Sequence, residues 1–198
     1  MKQHRFALIL ASFIVAAAAS CSGSGGDVPE CGTPEGAAIA DADVYPIYAA
    51  VIGKDFATNA VIVIRMQAAY DDDKGAAYLA TILKDASAEA QADFIKANAD
   101  PSKLYFEKSF PLSSYELLCA ARYDYYTSGS NWDALYTAYK GAQGILSLSA
   151  PGYNAAKDEA VVYLRNVVSA DRGEGYFVIL KKEGADWNTK YRVRTWQQ

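Results

Sequence analysis

The sequence predicts an α+β fold, and two observations carry the prediction. Helical patterns gather toward the first half of the chain, where apolar residues recur at intervals of three and four. Strand patterns dominate the second half, where four runs are separated by short polar turns. Turns of this length favour hairpins over βαβ crossovers. We therefore expect N-terminal helices and a mainly antiparallel sheet that ends in a four-strand meander.

The first predicted helix follows Asp43, a residue suited to an N-cap. Pro46 lies in the first turn, where its missing N–H does no harm, and Gly53 is the expected stop. The buried face of this helix should carry Tyr45, Tyr48, Ala49 and Ile52.

A strand and two more helices are predicted before residue 100. The β-branched run Ala60–Met66 is typical of a buried strand. Residues 76–86 form one expected helix, and Ser87 can cap another that continues through Asn98.

The second half begins with two extended segments, Leu104–Phe110 and Tyr115–Ala121. A short helix is expected next, because Ser130 and Asp133 have capping-box spacing. Its apolar face combines Trp132, Leu135, Tyr136 and Tyr139. The four strand candidates of the meander are Gly144–Leu148, Glu159–Val168, Gly175–Lys182 and Lys190–Trp196.

Residues 1–20 have the plan of a secretory signal peptide. A basic start precedes the apolar run Phe6–Ala19, which is shorter than the roughly 20 residues that span a bilayer. The small residues before Cys21 resemble the bacterial lipobox, although Ala18 stands where leucine is usual. The resemblance implies that cleavage leaves a lipid-modified Cys21 as the first residue. The lipid on Cys21 would then anchor the protein to the membrane.

The remaining chain divides into a tether and one domain. Residues 21–36 are rich in Gly, Ser, Pro and acidic residues, which is typical of a flexible tether, and 37–198 suits a single domain. Removing Lys2 and Arg5 with the signal changes the formal net charge from −4 to −6. A domain this acidic is a poor candidate for binding nucleic acid, which requires cations against phosphates.

Cysteine usage agrees with export. With Cys21 consumed by lipid, Cys31 and Cys119 remain, and an even remainder in an oxidising compartment suggests a disulfide. The alternative is an unpaired Cys31 in the tether and a buried thiol at Cys119.

Motifs for catalysis and cofactors are few. The single histidine, His4, lies in the signal, which excludes histidine-dependent nucleophiles and histidine metal sites from the mature chain. Gly173-Glu174-Gly175 lacks the third glycine of a dinucleotide fingerprint, and no cofactor or metal ligand set is predicted. Asp71–Asp73 lacks the later ligands of an EF-hand and is interpreted as a solvated turn.

Aromatic residues are the candidate contact groups. The chain has 15 tyrosines and three tryptophans, Trp132, Trp187 and Trp196. Aromatic side chains dominate many binding interfaces, but they also pack sheets and cores. Both interpretations stay open for each tryptophan.

The C-terminal half resembles an uncharacterised family of secreted bacterial proteins and lipoproteins. The resemblance rests on Gly152-Tyr153-Asn154, Ala160-Val161-Val162-Tyr163, Gly173-Glu174-Gly175-Tyr176 and Trp196, preceded by the helix that begins at Trp132. Many members carry a cysteine loop whose two cysteine positions hold Val168 and Arg172 here. The resemblance implies a fold and a compartment but supplies no activity.

Two classes of function follow. The first is a lipid-anchored, non-catalytic envelope module that binds an envelope protein or glycan. By analogy with other lipoproteins we expect it in the outer membrane, since Ser22 replaces the aspartate that retains lipoproteins in the inner membrane. The second is a carboxylate-dependent hydrolase of an envelope polysaccharide, which would need two carboxylates roughly 5 to 9.5 Å apart.

Overall fold

The computed structural model describes residues 27–56, 61–70, 75–107, 109–128 and 131–198. The predicted signal, the lipidation site Cys21, the acidic turn at 71–73 and the capping residue Ser130 lie outside these residues. The described chain forms an α+β fold, as the sequence predicts.

The helices and strands alternate through the first two thirds of the chain and give way to strands alone at the end. The helices are α1 (Tyr45–Phe56), α2 (Gly75–Ile82), α3 (Ala88–Ala97), α4 (Ala120–Thr127) and α5 (Trp132–Ala138). The strands are β1 (Ala37–Ile39), β2 (Ile62–Arg65), β3 (Leu104–Phe106), β4 (Tyr115–Leu118), β5 (Ile145–Leu148), β6 (Gly152–Tyr153), β7 (Glu159–Ser169), β8 (Arg172–Glu183) and β9 (Asp186–Gln197).

The main sheet is mixed but mainly antiparallel, as predicted: four of its strand pairs are antiparallel and two are parallel. Its order is β4-β2-β5-β7-β8-β9, with β6 paired to β7. The run from β5 to β9 is antiparallel, which confirms the predicted meander. However, β2 pairs in parallel with both β4 and β5. The prediction of hairpins concerns the second half of the chain and holds there, but turn spacing in that half carries no information about which earlier strands join the sheet.

The first helix differs from its prediction at both ends. Asp41, not Asp43, supplies the cap: its side chain accepts a hydrogen bond from Asp43 N at 2.9 Å and opens a 3-10 turn that leads into α1. Gly53 does not stop the helix, which continues to Phe56. A Cβ atom at Gly53 would meet nothing within 4 Å, so this glycine serves no close approach.

Helix α4 was missed, because Tyr115–Ala121 was expected to be extended. The strand β4 ends at Leu118, and the chain turns helical at Ala120. Tyrosines favour strands in isolation. Here Tyr123 and Tyr126, three positions apart, are both buried against the sheet, and this packing overrides the local preference.

Helices cover both faces of the sheet. Neighbouring β7 residues point to opposite sides, since Val162 and Leu164 join the cluster under α1 while Val161 and Tyr163 join the cluster under α2 and α3. A third cluster joins α4 and α5 to the sheet and contains Val63, Tyr123, Tyr126, Trp132, Leu135 and Ile145.

A buried polar bridge fixes α3 against the sheet. Asn98, only 5% exposed, donates to Ala150 O and accepts from Ala150 N, both at 2.9 Å. Nearby, the Glu159 carboxylate accepts from Ser87 N at 2.6 Å and lies 3.4 Å from Lys181 Nζ. Burial raises the pKa of Glu159, but the Ser87 and Lys181 contacts outweigh burial and leave that pKa below its usual value.

The predicted disulfide is present: Cys31 and Cys119 are bonded across a sequence separation of 88, with Cα atoms 5.7 Å apart. Pro29 O also accepts a hydrogen bond from Arg122 Nε at 3.2 Å. The described part of the predicted tether is therefore joined to the start of α4.

Candidate functional site

The structure separates the three tryptophans into two places. Trp132 and Trp196 line the same cleft, although 63 residues lie between them in the sequence. Trp187 lies elsewhere: it packs against the α1 cluster, with its ring 6.3 Å from the ring of Tyr153. Trp187 therefore takes the packing role that the sequence left open, and the other two define a candidate site.

This site, the tryptophan cleft, has a volume of about 230 Å³. It opens where α4 and α5 meet the ends of β7, β8 and β9. The residues that give it its chemistry are Tyr123, Trp132, Arg165, Arg172 and Trp196. Sites for drug-sized ligands occupy about 300–1,000 Å³. The tryptophan cleft is therefore suited to one ring-sized group.

Two glycines make the seat of the Trp196 indole. Gly175 is the cross-strand partner of Trp196, and Gly173 lies two residues away on the same face of β8. A Cβ atom at Gly175 would collide with the indole nitrogen, and one at Gly173 would come within 2.9 Å of Trp196 Cη2. The Gly-x-Gly pattern in this sequence thus accommodates an indole.

The orientation of Trp196 is also fixed by a hydrogen bond. Its Nε1 donates to Tyr163 Oη at 2.8 Å. Trp196 is only half-buried, so part of the seated ring is left accessible. A flat aromatic surface held in this way loses little conformational freedom when a ligand stacks on it.

Trp132 forms the helical wall of the cleft and belongs to the core as well. It is 7% exposed and packs in the cluster that joins α5 to the sheet. Leu135 is fully buried beside it, and Tyr136 and Tyr139 pack against the same cluster. The predicted apolar face of α5 is therefore confirmed.

Two arginines supply the charge of the cleft. Arg165 follows Val161 and Tyr163 on one face of β7, and its Nη2 donates to Tyr123 Oη at 2.8 Å. Arg172 opens β8 and is exposed. Burial raises the pKa of the Tyr136 phenol, and the positive charge of Arg172 acts in the opposite direction, which places that charge within reach of α5.

A third arginine lies behind the cleft. Arg65, at the end of β2, places its Cζ 4.3 Å from the centre of the Tyr123 ring. Tyr123 is thus held by one guanidinium on its ring and another on its hydroxyl. No aspartate or glutamate side chain is among the described residues that line the cleft. The cleft is consequently cationic in a protein of negative net charge.

A second cavity, of about 320 Å³, lies beneath the segment held by the disulfide. It is lined by Gly32–Glu35, Met66, Gln67 and Cys119–Ala121, at the carboxyl ends of the parallel strands β2 and β4. Its lining holds one charged side chain, Glu35, and no aromatic residue. It lacks the convergent polar groups and rings that make the tryptophan cleft the stronger candidate.

Sequence reasoning found the two tryptophans but missed the residues that join them. Arg165 interrupts an otherwise apolar strand run, which was an available signal. Tyr123 could not be found, because the sequence predicts an extended segment over Tyr115–Ala121 and no element at residue 123. Among the described residues, no group of three histidine, cysteine or acidic side chains could hold a metal ion. Within the same residues, no helix combines the length and apolarity needed to cross a membrane.

Comparisons with known proteins give no relative for this chain. No protein-family model, no curated protein and no solved structure matches it. The arrangement of the tryptophan cleft must therefore be interpreted from its own geometry.

Proposed function

We propose that this protein is a lipid-anchored component of the bacterial envelope that binds a ligand, without catalysis, in the tryptophan cleft. The observation that carries the proposal is the half-buried indole of Trp196, seated on Gly173 and Gly175 beside Trp132. Aromatic side chains in such positions supply a large part of the energy of many binding interfaces.

The proposed compartment is supported by two observations. The segment before Cys21 resembles a lipobox. A disulfide between Cys31 and Cys119 suits an oxidising compartment such as the periplasm. The outer membrane is the proposed location, because the residue after Cys21 is Ser22 and not the aspartate that retains lipoproteins in the inner membrane.

The hydrolase alternative gains no support from this cleft. Glycoside hydrolysis by the usual routes needs a pair of carboxyl groups. The described lining of the tryptophan cleft contributes no acidic side chain, and that of the second cavity contributes Glu35 alone. Binding is therefore the better-supported function for the cleft.

Lipidation is tested by changing the residue that would carry it. We expect Cys21→Ala to move most of the protein from the detergent phase to the aqueous phase in detergent partitioning, because a diacylglyceryl group is the only anchor the proposal invokes. Metabolic labelling with a fatty acid should mark the wild type alone. A Cys21→Ala protein that stays membrane-bound to the same extent would refute the lipid anchor.

The cleft is tested by removing the seated indole. We expect Trp196→Ala to reduce at least tenfold the amount of envelope ligand retained by the immobilised full chain, while the thermal midpoint shows that the protein is still folded. Tyr191→Ala is the matched control, because Tyr191 is an aromatic residue of the same strand that is 46% exposed and does not line the cleft. Equal retention by Trp196→Ala and the wild type would contradict binding in the cleft.

A further inference from the structure

The charge of the tryptophan cleft limits the chemistry of its ligand. Arg172 is exposed and makes no ion pair within 4 Å to a residue in the described part of the chain. Asp171 stands at the rim, where it accepts from Ser169 Oγ at 2.7 Å, but it does not line the cleft. An arginine side chain binds a carboxylate through two parallel hydrogen bonds, which a neutral ligand cannot match. The cleft therefore favours an anionic group.

The accessible face of the Trp196 indole further restricts the class of ligand. The face of an indole is electron-rich, and the C–H groups on one side of a sugar ring carry partial positive charge, so the two surfaces attract each other. Three further side chains of the lining end in hydroxyl or amide groups, those of Ser169, Thr127 and Gln198. Such groups can donate to and accept from sugar hydroxyls. The stacking surface of Trp196, the polar side chains around it and the positive charge of Arg172 together fit a sugar that bears a carboxylate.

A third cavity meets the cleft at the end of the sheet but opens on the opposite face, because Asn166, Glu174 and Gln197 form the cross-strand row next to that of Arg165 and Trp196. It has a volume of about 190 Å³ and shares Arg172, Gly173 and Gln198 with the cleft. Its remaining lining is mostly polar and includes Asn166, Glu174 and Gln197. Arg172 thus stands at the boundary between two spaces on opposite faces of the sheet. The carboxylate of Glu174 makes the third cavity less suited to an anion, so the cleft alone is the candidate site for an acidic sugar.

We infer that the tryptophan cleft binds one unit of an acidic polysaccharide, with the sugar ring stacked on Trp196 and its carboxylate held by Arg172. The inference rests on the proposed function, because it names the ligand class of the same site. Arg165 adds positive charge on the floor of the cleft while its Nη2 keeps the Tyr123 hydroxyl in place.

The test compares acidic sugars with neutral copies of themselves. Full-length protein in detergent is titrated with trisaccharides of galacturonate, mannuronate and guluronate and with the methyl ester of each. Binding is followed by tryptophan fluorescence and calorimetry. We expect at least one acid to bind at least tenfold more tightly than its ester, and the difference to shrink as salt is raised from 50 to about 500 mM.

The variant arm isolates the arginine. We expect Arg172→Gln to weaken binding of the preferred acid at least tenfold and to leave binding of its ester unchanged. Lys96→Gln removes the same charge from an exposed position on α3, outside both cavities, and should bind like the wild type.

Each contrary result has a defined meaning. Equal binding of acid and ester, or no binding of any of the six trisaccharides, would overturn the inference. Tetraglutamate is titrated in the same way as the sugars. If it binds more tightly than every sugar, the ligand is an acidic peptide and the inference is overturned. If the sugars fail while retention of envelope ligand still depends on Trp196, the proposed function survives and only the ligand class is wrong.

Discussion

Replacing Trp132 with alanine should lower the free energy of unfolding by about 3–5 kcal/mol, the usual effect of truncating a buried tryptophan. Trp132 is 7% exposed and packs in the cluster of Val63, Leu135 and Ile145. The truncation would leave a cavity between α5 and the sheet, which the fully buried Leu135 is poorly placed to fill. Against a typical total stability of about 5–15 kcal/mol, this loss is large.

Urea unfolding and the thermal midpoint measure the effect. Tyr191→Ala is a matched aromatic control, because Tyr191 is 46% exposed and should cost far less. Asp72→Ala, in the predicted acidic turn, should barely change the midpoint. If Trp132→Ala unfolds like the wild type but no longer retains envelope ligand, Trp132 acts only in binding and its assignment to the core is wrong.

This result matters for function because Trp132 belongs to the core and to the cleft at once. Its burial against the sheet sets the position of one wall of the cleft. Trp196, by contrast, is half-buried and is held by its glycine seat and by Tyr163. The two tryptophans should therefore separate in experiment: changes at Trp132 affect stability first, and changes at Trp196 affect binding first.

The sequence predicts local features of this fold well. Ser87 caps α3 as expected, its Oγ accepting from Ala90 N at 3.2 Å. The apolar face of α5 and the strands β5, β7, β8 and β9 also follow from periodicity and turns, whereas β6 lies where a turn is predicted. In each case the signal lies within about 12 residues, the range over which side-chain spacing reports on one element.

Long-range features could not be predicted in this way. The parallel pairing of β2 with β4 and β5 joins segments with several elements between them. The residues Ile62–Arg65 do not indicate which strands will pair with β2. The same reason hides the cleft. In the sequence, Gly175 belongs to an incomplete nucleotide motif and Arg172 belongs to a turn. Only the strand register places Trp196 opposite Gly175, and only the course of β8 brings Arg172 to the cleft.

Loss of the Cys31–Cys119 disulfide is the second change expected to have a large effect. The bond closes a loop across a sequence separation of 88. On the chain-entropy model, a loop of this length contributes about 4–5 kcal/mol by restricting the unfolded chain. The bond also joins the segment Gly32–Glu35, which covers the second cavity, to the first residues of α4. Its removal should therefore destabilise the fold and release this segment.

Urea unfolding with and without reductant measures the effect, and the double variant Cys31→Ala, Cys119→Ala supplies the control. Alanine avoids burying a hydroxyl at Cys119, which is only 6% exposed. The oxidised wild type should be more stable than both its reduced form and the double variant, and reductant should leave the stability of the double variant unchanged.

Limited proteolysis should cut the reduced protein before residue 37. Two free thiols in peptide maps of protein isolated without reductant would refute the pairing. Equal stability with and without reductant would show that packing of residues 27–36, and not the covalent bond, holds this segment on α4.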